Sequence, residues 1–285
     1  MKQNKIGRTF VVVAVFCLLL AGATWVLRPR LFANIDNFYR LKNNTADVMF
    51  FGSSNSYTNV NPAQLYDEHG IAANILAGSA QNIWNSYYYL EEAYKTQSPK
   101  VVVLEIYNSY RTYEYDALAN AITNTMGIRS PLIRLASTGV SVPPQQVADV
   151  MLGWPVYHSR YRDLGKGLDA FFDEDDGNGA IRLGQYPVFL TYSFDPPVKD
   201  DSILPIPVKT LEYIEKFVAL AKSHGSKVVL MKTPCVLPAE ATGVYNAIRE
   251  QFKDDTNVSF LNLNECAEQM GFNYATDLQD IVHCN

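Results

Sequence analysis

Cysteine is scarce in this chain and is not spaced for chemistry. Its 285 residues include four, at Cys17, Cys235, Cys266 and Cys284, with no CxxC pair. That argues against a zinc site and against a disulfide framework. With Cys17 inside an apolar run, three remain, so at most one pair can form, and packing is the expected role. No zinc and no other cofactor is expected. Basic blocks are missing too: Lys and Arg number 24 against 29 Asp and Glu, for a net charge of −5 and a pI near 5.4. A nucleic-acid partner is therefore discounted. No internal repeat occurs at periods of roughly 20 to 50 residues, which removes solenoids and propellers.

What the chain does have is apolar mass, 48% of its residues, enough for one main core of the α/β kind. Part of that mass lies at the N-terminus. Thr9 to Leu27, TFVVVAVFCLLLAGATWVL, carries no charge, and as a helix at about 1.5 Å per residue it reaches the ~30 Å of a bilayer core. An uncleaved anchor over residues 1–30 is the expectation. A cleaved signal peptide competes with it, since Ala21-Gly22-Ala23 offers small residues, although the run continues through Trp25 and Leu27. Lys2, Lys5 and Arg8 on one side face Arg28, Arg30, Arg40 and Lys42 on the other, so charge orients the segment weakly. The expected placement is a single-pass cell-membrane protein with its bulk extracytoplasmic.

Past a linker-like stretch, Asn34 to Thr45, strand and helix patterns alternate over residues 31–285. Short apolar runs at Asp47–Phe51, Asn74–Ala77, Val101–Ile106, Lys227–Lys232 and Asn257–Asn262 read as strands, the first closed by Gly52 and buried on both faces. Helical patterns fall at Pro62–Gly70, Asn82–Lys95, Val208–Ser223 and Ala239–Lys253. Such alternation implies a three-layer α/β/α sandwich on a mainly parallel five-stranded sheet, with ligands beyond the carboxyl ends of the strands.

Between about 110 and 205 the alternation breaks. This stretch is rich in Tyr, Pro and Gly and reads as an inserted lobe over one end of the sheet. Its acidic run, Asp173 to Asp176, does not match a calcium loop and reads as a solvated loop. Within it, Trp154 and His158 lie among aromatics and are candidates for a substrate groove, although such clusters are more often core. His69 and His224 precede glycines at apparent helix ends and read as caps.

Two short motifs carry chemistry. Gly52-Ser53-Ser54 closes the first strand, where a hydroxyl can project from the carboxyl edge while the glycine permits a turn. Taken alone, the triplet equally suits an ordinary turn. At the far end, Asp280-Ile-Val-His283 sets a carboxylate three residues before a histidine. A serine hydroxyl needs a base to take its proton, and the base works better when a carboxylate fixes its tautomer.

In this order, GSS, NILAGSAQN, VVVLEIYN and a terminal DxxH, the chain resembles the SGNH (GDSL-like) hydrolases, in particular membrane-anchored members associated with acylation of cell-surface polymers. The resemblance spans roughly residues 46 to 108 and 207 to 285 and omits the insertion. It implies a flavodoxin-like sheet, Ser54 as nucleophile, and Asp280 and His283 as the remaining pair of a triad. It also implies an oxyanion hole from the N–H of Ser54, an N–H at Gly78 or Ala80, and the side chain of Asn108. The usual first-block aspartate is Ser53 here, and only the asparagine of the third block is kept. An acylated carbohydrate or cell-wall polymer as substrate, with an integral membrane acyl-donor protein as partner, follows by the same analogy. The alternative expectation is a non-catalytic, membrane-tethered scaffold with a degenerate version of the fold. The chain stops at Asn285, just past His283, which suggests a truncated product with its base poorly held.

Overall fold

The fold comes from a computed structural model that describes residues 2–27, 33–111, 118–166, 185, 190–237 and 239–285. Helix α1, Lys2–Leu27, contains Lys5–Leu27 with a mean hydropathy of 2.7, long and apolar enough to cross a membrane. Its side chains stand largely bare, as with Phe10 at 74% and Trp25 at 76% exposure. Next comes helix α2, Ala33–Phe38. Here the linker expectation fails: Ile35 and Phe38 are buried in the main core, so the segment is packed structure.

The sheet then builds as expected. Strands β1 (Val48–Gly52), β2 (Ala73–Ala77), β3 (Val101–Glu105), β4 (Lys227–Lys232) and β5 (Val258–Asn262) are all parallel, in the order β2-β1-β3-β4-β5. Register runs Val48 beside Ala73 and Val101, then Val102 beside Val228, and Leu230 beside Phe260. Alternate strand residues feed two clusters, as a period of two requires. Met49, Phe51, Leu76, Leu104 and Leu230 join the larger one, while Phe50, Ile75, Val103 and Met231 join the smaller.

Helices cover both clusters. Polar α3 (Ser54–Asn59) and α4 (Pro62–His69) follow β1, and their Tyr57 and Leu65 pack against the smaller cluster. Helix α5 (Ile83–Ala93) packs Tyr89 and Leu90 into the larger one. The inserted stretch supplies α6 (Leu118–Met126), α7 (Pro131–Ser141), α8 (Val147–Leu152) and α9 (Trp154–Tyr157). Its described parts meet both the loops at the sheet's carboxyl end, through Asn124 to Ser79 O and Tyr192 to Leu278 O, and the helices beside the sheet. Helix α7 lies along α5, with Asn85 Nδ2 donating to Ser137 Oγ at 3.2 Å and Ser141 Oγ at 2.8 Å, and α9 contacts α1. The acidic run 173–176 lies outside the described residues. Helices α10 (Val208–Ser223) and α11 (Ala239–Phe252) complete the larger cluster through Phe217 and Ile248.

His69 ends α4 and His224 follows α10, as expected of caps, but the bonds differ in kind. The backbone N–H of Gly70 closes α4, and the His224 ring stacks on Tyr94 with centroids 3.9 Å apart.

The strand order reverses at β1, whose neighbours β2 and β3 are reached by crossovers to opposite sides, and the carboxyl ends of β1 and β3 at such a switch point are where sheets of this kind bind ligands. Gly52 sits at that point with φ +142, and an added Cβ would come within 2.7 Å of both Glu105 Cβ and Ser56 Oγ. No other residue meets both demands. Gly52→Ala is expected to lower stability by about 2 kcal/mol or more, read as a shift in the urea midpoint of the full-length protein in detergent.

Candidate active site

Ser54 is the first residue of α3 and follows Ser53, whose extended backbone (φ −90, ψ −164) lifts the chain out of the strand. Ser54 is half-buried, with its hydroxyl directed at the far terminus: Ser54 Oγ lies 2.7 Å from His283 Nε2. His283 Nδ1 lies 2.7 Å from Asp280 Oδ2, and Asp280 Oδ1 accepts the N–H groups of Val282 and His283 at 2.8 and 2.9 Å. A single carboxylate thus closes its own turn and orients the ring beyond it.

The tautomer follows from the partners. An ionised carboxylate only accepts, so Nδ1 carries the proton, and the neutral ring leaves Nε2 to accept the hydroxyl of Ser54. Partial burial alone would raise the Asp280 carboxyl. The His283 ring and the two backbone N–H groups outweigh it and hold Asp280 below its ordinary 3.8.

The loop bearing His283 is firmly docked, contrary to the expectation of a poorly held histidine. Leu278 is fully buried beside Tyr274 and Ala267, Tyr192 N–H donates to Leu278 O at 2.8 Å, and Val236 N–H donates to Ile281 O at 2.7 Å. Gln279 N–H closes back on His283 O at 2.8 Å. The nearby thiols do not compete as nucleophiles: burial pushes Cys284 up to about 12 and raises Cys235 as well.

Of the expected oxyanion donors, Asn108 is buried on a 3-10 turn, Tyr107–Tyr110, with Nδ2 donating to Gln81 O at 3.0 Å. That bond ties the turn to the loop after β2. Within that loop Gln81 N–H donates to Gly78 O at 3.1 Å, and Ala80 adopts φ +46, a left-handed conformation costly for a residue with a Cβ. Gly78 is required by close approach, because a Cβ there would fall 1.9 Å from Asn124 Oδ1. Trp154 and His158 stand elsewhere. They flank helix α1, where Gly153 meets Thr24 and the Arg160 guanidinium donates to Leu27 O at 2.9 Å. The structure joins them to the apolar helix and not to the serine.

One residue that sequence reasoning missed is Glu105. Fully buried at the end of β3, it accepts from Ser53 Oγ at 3.1 Å with one oxygen and from Tyr107 N–H at 2.8 Å with the other. A single carboxylate thereby holds together the turn carrying Ser54 and the turn carrying Asn108. Burial pushes it above its ordinary value, against the pull of the Lys232 ammonium and the two bonds. Lys232 is itself fully buried, donating to Thr233 O with its ammonium 5.4 Å from the Tyr107 ring centroid. A charged residue inside an apolar run read as a strand was the available signal. An apolar cleft lined by Leu41, Ala46, Tyr66 and Asn74 lies at the opposite, amino edge of the sheet and holds none of these groups.

Comparison with known proteins adds no relative to this geometry: no protein-family model matches the chain, and no curated protein matches it.

A carboxyl whose folded pKa lies below its unfolded one stabilises above the unfolded value, and that contribution disappears as pH falls through the folded one. The protection of the Val282 and His283 amides against hydrogen exchange, corrected for intrinsic rates, is therefore expected to hold from neutral pH to about 4 and to fall below it. Mass-spectrometric exchange on the 277–285 peptide checks this, with Asp280→Asn expected to lack the transition.

Proposed function

We propose that the chain is a serine-dependent acyl-ester enzyme with an SGNH-type α/β/α domain over residues 31–285, tethered by its N-terminal helix and working outside the membrane. The observation that carries this reading is the unbroken chain of bonds from Ser54 Oγ through both ring nitrogens of His283 to Asp280, each ring contact at 2.7 Å. Serine, imidazole and carboxylate in hydrogen-bond sequence at a sheet's carboxyl edge are the arrangement that nucleophilic acyl transfer requires.

The steps follow from the protonation states. As Ser54 Oγ bonds to the acyl carbon, its proton passes to His283 Nε2, and Asp280 stabilises the resulting imidazolium through Nδ1–H. Negative charge gathers on the carbonyl oxygen, where the N–H of Ser54, an N–H at Gly78 or Ala80 and the Asn108 amide would receive it. The imidazolium returns its proton to the departing alkoxide, leaving acyl-Ser54. Water or a sugar hydroxyl, deprotonated by the same imidazole, then takes the acyl group. Hydrolysis and transfer share every one of these groups. The acylated carbohydrate or cell-wall polymer and the integral membrane acyl donor rest on the family resemblance, and the length and polarity of helix α1 are consistent with a membrane setting.

Turnover of p-nitrophenyl acetate by the full-length protein tests the assignment. Ser54→Ala and His283→Ala are each expected to lower kcat by at least about 10³-fold with the fold intact. Variants as active as an active wild type would contradict the assignment, and a folded wild type without turnover would favour a tethered scaffold.

A further inference from the structure

We infer that Asn59 is a positioning residue for the histidine base, a clamp through which the nucleophile's own helix sets the place of His283. The inference rests on the acyl-transfer reading above. Asn59 is the last residue of α3, the helix that Ser54 begins. Its side chain grips the backbone on both sides of His283: Oδ1 accepts Cys284 N–H at 2.8 Å, and Nδ2 reaches Val282 O at 3.4 Å. Nδ2 also donates to Thr233 Oγ1 at 3.0 Å, which fixes the amide against the loop after β4. The orientation of the amide is determined by its partners, since a backbone N–H can face only the oxygen.

The geometry makes this more than loop docking. Asp280 fixes the rotation of the imidazole but lies on the same loop, so it cannot fix the distance from that loop to Ser54. Asn59 bridges the two pieces, five residues along the helix from the nucleophile and within bonding distance of both peptide units that flank His283. Thr58 reinforces the joint, its Oγ1 lying 2.9 Å from Ser54 O and 2.6 Å from Asn59 Oδ1. A hydroxyl has one proton, so it donates to one of these oxygens at a time. A shift of the base by about 1 Å from its serine is enough to cost about 10² in rate.

The test is p-nitrophenyl acetate kinetics on the full-length protein in detergent, together with the low-field proton resonance of the Asp280–His283 bond. Asn59→Ala is expected to lower kcat by about 10²-fold with KM nearly unchanged, and to broaden or abolish that resonance. Asn59→Asp keeps the acceptor for Cys284 N–H but loses both donations, and an intermediate loss of about tenfold is expected; it decides the matter if the alanine variant does not fold. A folded variant with wild-type kcat and an unchanged resonance overturns the clamp. If wild type shows no Ser54-dependent turnover, the catalytic reading fails, yet the resonance still decides: its loss in the Asn59 variants upholds the positioning role and its persistence refutes it.

Discussion

The proposed chemistry depends on one hydrogen bond, between His283 Nε2 and Ser54 Oγ, which joins side chains 229 positions apart in the chain. Such a contact is costly to arrange, since closing a long loop consumes chain entropy before any bond forms. The parallel sheet supplies the means. By running β1 and β4 the same way, it brings the turn after Gly52 and the loops after Lys232 to one edge. The C-terminal loop then needs only to dock there, and its buried Leu278 and backbone bonds achieve that.

A second layer of polar groups holds the edge together. Glu105 draws the Ser53 and Tyr107 turns toward one carboxylate, with Lys232 buried behind it. Tyr245 contributes from α11, its hydroxyl donating to Tyr107 O at 2.7 Å. Buried charges of this kind are weak stabilisers, because desolvation offsets much of their attraction. Here they coincide with the turns at the carboxyl ends of β1 and β3, which gives them a geometric role that apolar side chains could not fill.

The legible parts of the sequence were those with short-range signals. Short apolar runs, the first of them closed by Gly52, marked the five strands, and three-residue spacing marked Asp280 and His283. Ser54 was legible because it follows a glycine at a strand end. The six-residue helix α3, SNSYTN, has no apolar periodicity to reveal it, and its place against the smaller cluster is set by tertiary packing. The helices of the insertion were hidden by the Tyr, Pro and Gly content that broke the strand–helix alternation, and α2 was too short for its two buried residues to stand out. Trp154 and His158 looked like a groove because aromatic clusters read alike whether they line a surface or, as here, pack beside an apolar helix. Glu105, Lys232 and Asn59 depend on partners far away in sequence, so no local pattern could assign them.

The central claim is that the fold activates one particular hydroxyl among several at this edge, where Ser53 and Ser56 are neighbours of the same chemical type. Peptide mapping by mass spectrometry after reaction with a fluorophosphonate tests it most directly. The account expects a single phosphonyl adduct on Ser54, abolished by His283→Ala. An adduct on Ser53 or Ser56, or labelling of Ser54 that is indifferent to His283, would contradict it.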